Sequence, residues 1–419
     1  MATSRNIIVA GAGIGGLTAA LALARCGFRV TLIERAGQIE EAGAGIQLSP
    51  NATRVLISLG LADRLRRTAV TPQAVVVNTA SGGRLARIPL GNATEARYGA
   101  PYWSIHRGDL QAALLDAVRE SPDIALRLGT SVDDFVVHAH GVSAACRNNN
   151  VAADEHGIAL VCADGLWSGL RHRLGQRTRP EFRGRTAWRA LLHTERAEPA
   201  FRAADVQLWL GRDAHLVHYP VKSGALINIV AIVNDRWSEP GWTAEGARED
   251  LLACYSAWNW AEPVRAFLAL PLRWQKWALY DLPPLRQWGD GPVTLLGDAA
   301  HPMLPFLAQG AAMAIEDAAV LAACLSQNPD DPAAAMRHYE RARRPRTARV
   351  QRAARSNGRA YHLGAAEAAI RNFVLRVAGG SMLLRRYDWL YDWRAPAVAA
   401  AKIDMLPSPR AGEGERDMA

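Results

Sequence analysis

The sequence predicts a mixed α/β fold with three parts: an opening β-α-β unit, a second sheet of mixed or antiparallel strands, and a helical C-terminal region. A glycine-rich loop separates an apolar run from an alanine-rich segment near the start, strand-like sequence dominates residues 186–233, and helix-forming sequence runs from 311 to about 391. Because strands that cluster after an α/β start usually form a separate layer, we expect two sheets. The length of 419 residues, at about 150 per domain, agrees with two to three domains.

The opening unit is the most clearly predicted part. Residues 7–10 (Ile-Ile-Val-Ala) form a continuous apolar run, which is typical of a parallel strand buried on both faces. Residues 17–25 are rich in alanine and leucine and therefore helical, and Gly27 ends this helix. Residues 29–33 (Arg-Val-Thr-Leu-Ile) predict the second strand, with Glu34 at its C-terminal end. The order is β-α-β.

The rest of the chain mixes short strands with helices. Further strands are predicted at residues 124–128, 132–137, 158–162, 206–209, 215–221, 225–233 and 293–296, and further helices at 110–119, 245–258 and 311–391. Pro329, Pro332 and Pro345 are expected to break the last helical region. Residues 396–419 are small, charged and proline-bearing, so we expect a loose tail there.

Composition excludes several classes of protein. The chain is 49% apolar and 21% charged, which argues against a disordered chain, a fibre or a small disulfide-stapled scaffold. The five cysteines are scattered and include no CxxC pair, and the histidines show no metal-ligand spacing, so we expect a reducing cytoplasm, no disulfide framework and no metal. Neither a secretory signal nor a run of about 18 uncharged apolar residues is evident, so no membrane segment is expected.

The net charge of +9 comes almost entirely from arginine, with a dense run between Arg341 and Arg359. No zinc-finger, RRM or basic-zipper pattern accompanies it, which argues against a nucleic-acid partner. We expect a solvated helix face, with an anionic partner as the alternative. The charge would attract acidic small molecules and phosphate-bearing cofactors.

The loop between the first strand and helix reads Gly11-x-Gly13-x-x-Gly16, a dinucleotide fingerprint in the required context. Gly11 permits the tight turn, Gly13 lets the backbone approach a pyrophosphate, and Gly16 lets the helix pack closely. The helix N-terminus offers free N–H groups to phosphates. Glu34 follows the second strand, where its carboxylate can accept hydrogen bonds from ribose hydroxyls and would repel a 2′-phosphate, so FAD or NAD fits.

Two later motifs decide between these cofactors. Residues 162–171 place Asp164-Gly165 after a strand, and residues 295–318 place Gly297-Asp298 after another strand and then Gln309-Gly310 before a helix. Together with the first loop, this order and spacing resemble the class A flavin monooxygenases, the single-component FAD-dependent aromatic hydroxylases such as the salicylate, 3-hydroxybenzoate and 6-hydroxynicotinate enzymes. The resemblance spans residues 5–395.

The resemblance implies a set of FAD-binding residues. Gly11, Gly13, Gly16 and Glu34 would hold the ADP half, Asp298 the ribityl chain, and Arg107 would reach the cofactor. The other positions assigned to the cofactor site are Arg35, the isoalloxazine segment Gly45, Ile46 and Gln47, Asp164, which the family links to NAD(P)H use, and the helix start Gln309, Gly310 and Ala311.

Two of the motif side chains have simpler interpretations. Asp298, taken alone, could be an ordinary helix cap or turn residue. Ser168 lacks a Gly-x-Ser-x-Gly elbow and is interpreted as a cap or a phosphate-side contact rather than a nucleophile.

The substrate side is predicted from strand 215–221. A period of two places His215, Val217 and Tyr219 on one face and Leu216 and His218 on the other. A His and a Tyr side by side can bind a phenol and move its proton, and their spacing resembles the His and Tyr pair of the 3-hydroxybenzoate and 6-hydroxynicotinate enzymes. The alternative is an ordinary half-buried strand.

The resemblance also implies a catalytic wall and a reaction. Pro305 would line the substrate pocket near the oxygen chemistry. NAD(P)H, with NADH favoured, would reduce FAD; O₂ would then give a flavin C4a-hydroperoxide that hydroxylates a phenolic acid such as a hydroxybenzoate or hydroxypyridine carboxylate. Without a second GxGxxG, NAD(P)H would visit transiently. The alternatives are another FAD-dependent oxidation, such as epoxidation, and a non-catalytic flavin-binding protein. A monomer or homodimer is expected.

The implied domain organisation is discontinuous. The FAD-binding domain would comprise residues 1–70, 100–180 and 285–330, and the substrate-binding sheet domain residues 71–99 and 181–284. Residues 331–395 would form C-terminal helices, followed by the tail.

Overall fold

A computed structural model of the chain describes residues 5–39, 44–149, 151–237, 239, 241–257 and 259–397. The strands, in chain order, are β1 Asn6–Ala10, β2 Arg29–Ile33, β3 Gly45–Leu48, β4 Ala74–Thr79, β5 Arg84–Pro89, β6 Trp103–His106, β7 Ile124–Arg127, β8 Thr130–His138, β9 Gly141–Asn148, β10 Val151–Gly157, β11 Ala159–Cys162, β12 Glu181–His193, β13 Val206–Leu210, β14 Ala214–Val221, β15 Leu226–Asn234, β16 Thr243–Gly246, β17 Trp274–Asp281, β18 Gly289–Asp290 and β19 Val293–Leu295. The helices are α1 Ile14–Arg25, α2 Pro50–Ser58, α3 Ala62–Arg66, α4 Gly91–Tyr98, α5 Arg107–Glu120, α6 Gly169–Arg173, α7 Arg248–Ser256, α8 Glu262–Ala269, α9 Gly310–Gln327, α10 Pro332–Tyr361, α11 Ala365–Val377, α12 Gly380–Arg385 and α13 Asp388–Tyr391.

The first sheet has the strand order β18-β19-β11-β1-β2-β7 and is parallel except at its β18 edge. Its centre is fully buried, since Ile7, Ile8 and Val9 of β1 have no exposed surface. Helices α1 and α9 pack against each other beside this sheet. Burial on both faces explains why β1 reads as a continuous apolar run. The predicted β-α-β unit is confirmed.

The second sheet has the strand order β16-β17-β12-β15-β14-β13-β4-β5. All its pairs are antiparallel except β13 with β4, so it is the predicted mixed sheet. Strands β4 and β5 come from the segment 71–99 and join strands from 181–284 in one layer. A three-stranded sheet, β10-β9-β8, and a two-stranded sheet, β3-β6, complete the architecture.

Two predicted elements differ in the structure. The helix expected at 245–258 begins only at Arg248 and ends at Ser256, because residues 243–246 form β16 and pair with β17; Trp258 lies outside the described residues. Pro345 does not break a helix, since α10 runs 30 residues through it. Pro345 is exposed on the outer face of α10, where water can hydrate the carbonyl that loses its partner.

The arginine run between Arg341 and Arg359 is also only partly a solvated face. Arg343 is fully buried and Arg346 is mostly buried, and both pair with carboxylates of α9. Arg355 pairs with the buried Asp281. The prediction of a solvated helix face is therefore wrong for these positions, because helical periodicity turns every third or fourth arginine inward.

One described helix, α9, is long and apolar enough to cross a membrane by length and composition alone, and 67% of it is buried inside the protein. Within the part of the chain that the structure describes, no group of three or more His, Cys, Asp or Glu side chains could hold a metal ion. The expected loose tail falls largely on residues 398–419, outside the described residues.

Candidate functional site

A cavity of about 630 Å³ lies between the first sheet and the second sheet. It brings together most of the positions singled out from the sequence. Those that line it are Gly13, Gly45, Ile46, Gln47, Arg107, His215, Tyr219, Asp298, Pro305, Gln309, Gly310 and Ala311. Gly11, Gly16, Glu34, Arg35 and Asp164 are not part of the lining.

The glycine loop is shaped as its sequence predicts. Gly11 has a φ of +105°, and a Cβ there would stand 2.4 Å from the carbonyl oxygen of Ala163, so both conformation and space demand glycine. A Cβ on Gly16 would lie 1.8 Å from the carbonyl oxygen of Gly11. By contrast, no atom of the residues that the structure describes lies within 4 Å of a Cβ on Gly13, and none of their side chains caps α1. The free N-terminus of α1 therefore faces open space.

Glu34 anchors this loop from the end of β2. Its Oε2 accepts a hydrogen bond from the N–H of Ala12 at 2.8 Å, and its Oε1 accepts one from the N–H of Ala36 at 2.9 Å. Each carboxylate oxygen keeps a second lone pair that a ribose hydroxyl can use. Arg35 is exposed beside it.

The second helix N-terminus at the cavity belongs to α9. Gln309 precedes it, and its side chain is held by Ser49, to which its Nε2 donates at 2.8 Å, and by Asn51, which donates to its Oε1 at 3.1 Å. No side chain caps the helix. The uncapped N–H groups and the helix dipole of this 18-residue helix thus point toward the cavity with a partial positive charge.

Asp298 opens onto the cavity next to this helix, with its Oδ1 3.9 Å from a Cβ built on Gly310. Its side chain is exposed to the cavity rather than packed against other side chains. Desolvation by the surrounding protein raises the pKa of Asp298, while its interactions with His301 and Arg107 act in the opposite direction.

Asp164 and Ser168 lie at the start of α6. Ser168 caps this short helix, since its Oγ accepts from the N–H of Arg171 at 2.9 Å, so the interpretation of Ser168 as a cap is confirmed. Asp164 accepts from the N–H of Leu170 at 3.2 Å through Oδ2, while its Oδ1 is buried without a hydrogen-bond partner. That oxygen remains available for a ligand.

The face of β14 alternates as predicted. His215 and Tyr219 are buried and line the cavity, whereas Leu216 packs in the core on the far side and the ring of His218 packs against Phe267 at 5.0 Å between centroids. His215 and Tyr219 are nevertheless not side by side. Four residues of strand, about 13 Å, separate them.

The two side chains are also in different electrostatic environments. Burial, His362 and Arg185 hold the pKa of His215 well below its usual range, so the imidazole is neutral. Burial raises the pKa of Tyr219 to about 12, although Arg189 and a hydrogen bond with Gln47 oppose the shift, so the phenol keeps its proton. A neutral base and a protonated donor thus line one wall.

Arg189 is a cavity residue that the sequence did not reveal. It lies in β12 with its guanidinium 4.3 Å above the ring of Trp277. Among the ion pairs of the described residues none includes Arg189, and its Nε is buried without a hydrogen bond. Burial lowers the pKa of Arg189 to about 10, Tyr219 raises it and Arg107 lowers it. An arginine inside the apolar strand sequence Ala187-Trp188-Arg189-Ala190 is the signal that could have identified it.

A buried ionic network joins α10 to α9, the helix whose N-terminus lines the cavity. Asp317 accepts from His301 at 2.5 Å and from Arg343 at 2.7 Å, and Glu316 accepts from Arg343 and Arg346 at 2.6 Å. Burial alone would raise the pKa of Asp317, but His301 and Arg343 outweigh it and lower the pKa. Asp317 is therefore a structural ion-pair partner.

The site fits FAD on several independent observations. The N-terminus of α1 after the glycine loop and the N-terminus of α9 after Gln309 both lack a side-chain cap. A buried carboxylate oxygen of Asp164 has no hydrogen-bond partner among the described residues. The glycine loop leaves no room for a Cβ at Gly11. Two helix dipoles suit an anionic pyrophosphate and an electron-rich flavin edge.

Residues 4–354 match the FAD binding domain family, so the chain belongs to this family of flavoproteins. It is similar to the 3-hydroxybenzoate 6-hydroxylase of Polaromonas naphthalenivorans strain CJ2, at 36% identity over 389 residues, covering 92% of this chain and 96% of that one. It is 34% identical over 361 residues to the 6-hydroxynicotinate 3-monooxygenase of Bordetella bronchiseptica, covering 84% of this chain and 91% of that one.

Among solved structures, a salicylate hydroxylase substrate complex superposes with a TM-score of 0.80 at 26% identity, covering 95% of this chain and 100% of that one. These similarities confirm the predicted family, the mixed α/β flavoprotein fold, FAD as cofactor and the enzyme class, an FAD-dependent aromatic hydroxylase.

Proposed function

We propose that the chain is a monooxygenase that uses NAD(P)H and O₂ to hydroxylate a small phenolic aromatic acid, such as a hydroxybenzoate or a hydroxypyridine carboxylate. One observation carries the proposal: a single cavity is lined both by Asp298 and the start of α9 and by His215, Tyr219 and Arg189. The relatives named for 3-hydroxybenzoate and 6-hydroxynicotinate support the substrate class.

The cofactor would be held by the glycine loop, Glu34, Asp298 and the α9 N-terminus. Bound FAD would supply the redox chemistry that activates O₂. The protein's own contribution is to bind the aromatic acid, orient it and exclude water.

Charge and proton transfer are assigned to three side chains. Arg189 would bind the substrate carboxylate, because it lines the cavity, its Nε is buried without a hydrogen bond, and no carboxylate of the described residues pairs with it. His215, neutral through burial, would accept the phenol proton, which makes the ring richer in electrons. Tyr219, protonated, would donate a hydrogen bond to the substrate.

The remaining wall is apolar. Val217, Val230 and Ile232 line the same face of the second sheet, and Pro305 begins a 3₁₀ turn that closes the cavity opposite them. Such a lining would hold an aromatic ring and keep water away from it. We also propose a cytoplasmic location, NADH as the favoured reductant and the discontinuous domain boundaries given above.

An oxygen-electrode assay with FAD-loaded protein tests the proposal. Oxygen uptake should require both NADH and an aromatic acid, and the product should carry one additional hydroxyl group. Hydroxybenzoates and hydroxypyridine carboxylates form the substrate panel, and phenol and 3-hydroxypyridine, which lack the carboxylate, are the matched controls. Uptake without ring hydroxylation would indicate another oxidation, and no substrate-dependent uptake would indicate a non-catalytic flavoprotein.

Arg189→Met sharpens the same assay. Loss of the guanidinium should weaken the binding of the aromatic acids about ten- to a hundredfold, because a charge-assisted hydrogen bond is lost. The binding of phenol, which has no carboxylate, should stay unchanged. An equal loss for both ligands would contradict the carboxylate assignment.

A further inference from the structure

A second histidine stands behind His215. His362 follows the last residue of α10, 147 positions away in sequence, and its Nε2 lies 2.6 Å from the Nδ1 of His215. Both rings are buried, with 1% and 9% of their surface exposed. Because Nδ1 of His215 is engaged by His362 and His215 lines the cavity, Nε2 is the ring nitrogen left to face a ligand.

The bond between the two rings determines what His215 can do. A neutral imidazole has one donor nitrogen and one acceptor nitrogen, so a nitrogen–nitrogen hydrogen bond holds a single proton. If His362 donates, Nε2 of His215 carries a proton and can only donate to the substrate. If His215 donates, its Nε2 presents a free lone pair. Only the second arrangement lets His215 accept a proton from a phenol.

The groups around the pair keep it neutral. Arg185 of β12 and Arg371 of α11 bear positive charge nearby, and Tyr361 of α10 packs its ring edge-on to His215 at 5.2 Å between centroids. Burial, together with these two arginines, lowers the pKa of His362 to about 3. The resting pair is therefore uncharged and gains a proton only from a ligand in the cavity.

We propose that His362 is a positioning residue that accepts a hydrogen bond from the Nδ1–H of His215 and thereby makes Nε2 of His215 the proton acceptor for the substrate hydroxyl. The inference rests on the proposed function. As the substrate O–H bond breaks, an N–H bond forms at Nε2 of His215, while the Nδ1–H of His215 stays in its hydrogen bond to Nε2 of the neutral His362. The positive charge then resides on His215, next to the negative charge left on the substrate oxygen, and the transfer reverses when the hydroxylated product is protonated and leaves.

Two substitutions separate the hydrogen bond from the ring. His362→Gln keeps an acceptor oxygen within reach of His215, whereas His362→Phe keeps a ring against Phe306 and removes the acceptor. His218→Phe is the matched control, because His218 is buried on the same strand but faces away from the cavity.

The readout is the ionisation of a bound probe, 3-hydroxy-4-nitrobenzoate, followed by phenolate absorbance against pH in FAD-loaded protein without reductant. His362→Phe should lower the phenolate-to-phenol ratio at a given pH about tenfold or more, by loss of one charge-assisted hydrogen bond. His362→Gln should restore most of the ratio, and His218→Phe should leave it unchanged. The proposal would be overturned if the probe ionised in His362→Phe as it does in the wild type. It would also be overturned if His362→Gln gave the same ratio as His362→Phe.

Nitrogen-15 NMR of the wild type gives an answer even if His362→Phe does not fold. The His215 resonances should show a protonated Nδ1 and an unprotonated Nε2; the reverse tautomer overturns the inference. Neither the probe titration nor the NMR measurement requires turnover. A failure of the His362 proposal can therefore be distinguished from a failure of the proposed function. Normal probe ionisation with no hydroxylation would refute the proposed reaction and leave the role of His362 intact.

Discussion

The two sides of the cavity are built differently. The proposed cofactor side comprises the loop Gly11–Gly16, Asp298 and the start of α9, and it relies largely on backbone N–H groups of consecutive residues. The proposed substrate side comprises Arg189, His215 and Tyr219, which are side chains from two strands, and His215 is hydrogen-bonded to His362 at the end of α10. Backbone N–H groups do not depend on side-chain identity, so the first side suits a cofactor that stays the same. The second side consists of side chains, so a single substitution there can change which substrate is bound.

The substrate side should show the largest effect on turnover. His215→Ala should slow hydroxylation by on the order of 10²–10⁴-fold, the usual contribution of a general base, and Tyr219→Phe should also slow it. FAD content should stay normal, and more NADH should be consumed per product, with hydrogen peroxide released. Product formed per NADH oxidised is the measurement. A conservative Leu216→Met change, on the opposite face, is the control, and unchanged rate and coupling in both variants would reduce His215 and Tyr219 to wall residues.

The ionic network beneath both sides should show the largest effect on stability. Arg343→Met removes the guanidinium that joins the buried Glu316 and Asp317 and leaves them only Arg346 and His301, which should cost about 3–5 kcal/mol of the free energy of unfolding. Urea unfolding measures this loss. Arg341→Met, an exposed arginine of the same helix, should change little. Equal stability of the two variants would show that the network is dispensable.

The cofactor side should respond through affinity alone. Asp298→Ala should weaken FAD binding about ten- to over a hundredfold, because it removes a hydrogen bond to a charged group, which is worth roughly 1.5–3 kcal/mol. Fluorescence titration of the apoprotein with FAD gives the dissociation constant. Asp290→Ala, exposed at the edge of the first sheet, is the control. An Asp298 variant with wild-type affinity would contradict the ribityl assignment.

The remaining effect concerns pH, and within one pH unit it is small. Burial lowers the pKa of His218 to about 3, below its unfolded value near 6.5. Between these values the unfolded chain binds more protons, so the free energy of unfolding should fall as the pH decreases from 6.5 toward 3, by at most about 1.4 kcal/mol per pH unit. His218→Phe should remove this contribution from the slope, while His172→Phe, on the exposed face of α6, should not. Unfolding curves at several pH values decide it, and an unchanged slope would mean that His218 is protonated in the fold.

The comparison also shows how far the sequence could lead. The glycine spacing, the apolar strand and Glu34 lie within 34 residues, so local pattern and backbone geometry together predict the cofactor side. The alternation on β14 was predictable for the same reason, since a strand has a period of two. The start of the helix expected at 245–258 was not predictable, because β16 exists only through its pairing with β17.

The sequence by itself determined the β-α-β unit, the FAD fingerprint and which face of β14 carries His215 and Tyr219, because each depends on residues that are neighbours along the chain. Tertiary structure decided that Arg343 pairs inward with Asp317, that Arg189 reaches the cavity unpaired, and that His362 meets His215. These contacts join segments that are 26 to 147 residues apart or come from different layers, and burial of charge, which sets their chemistry, depends on how the layers pack.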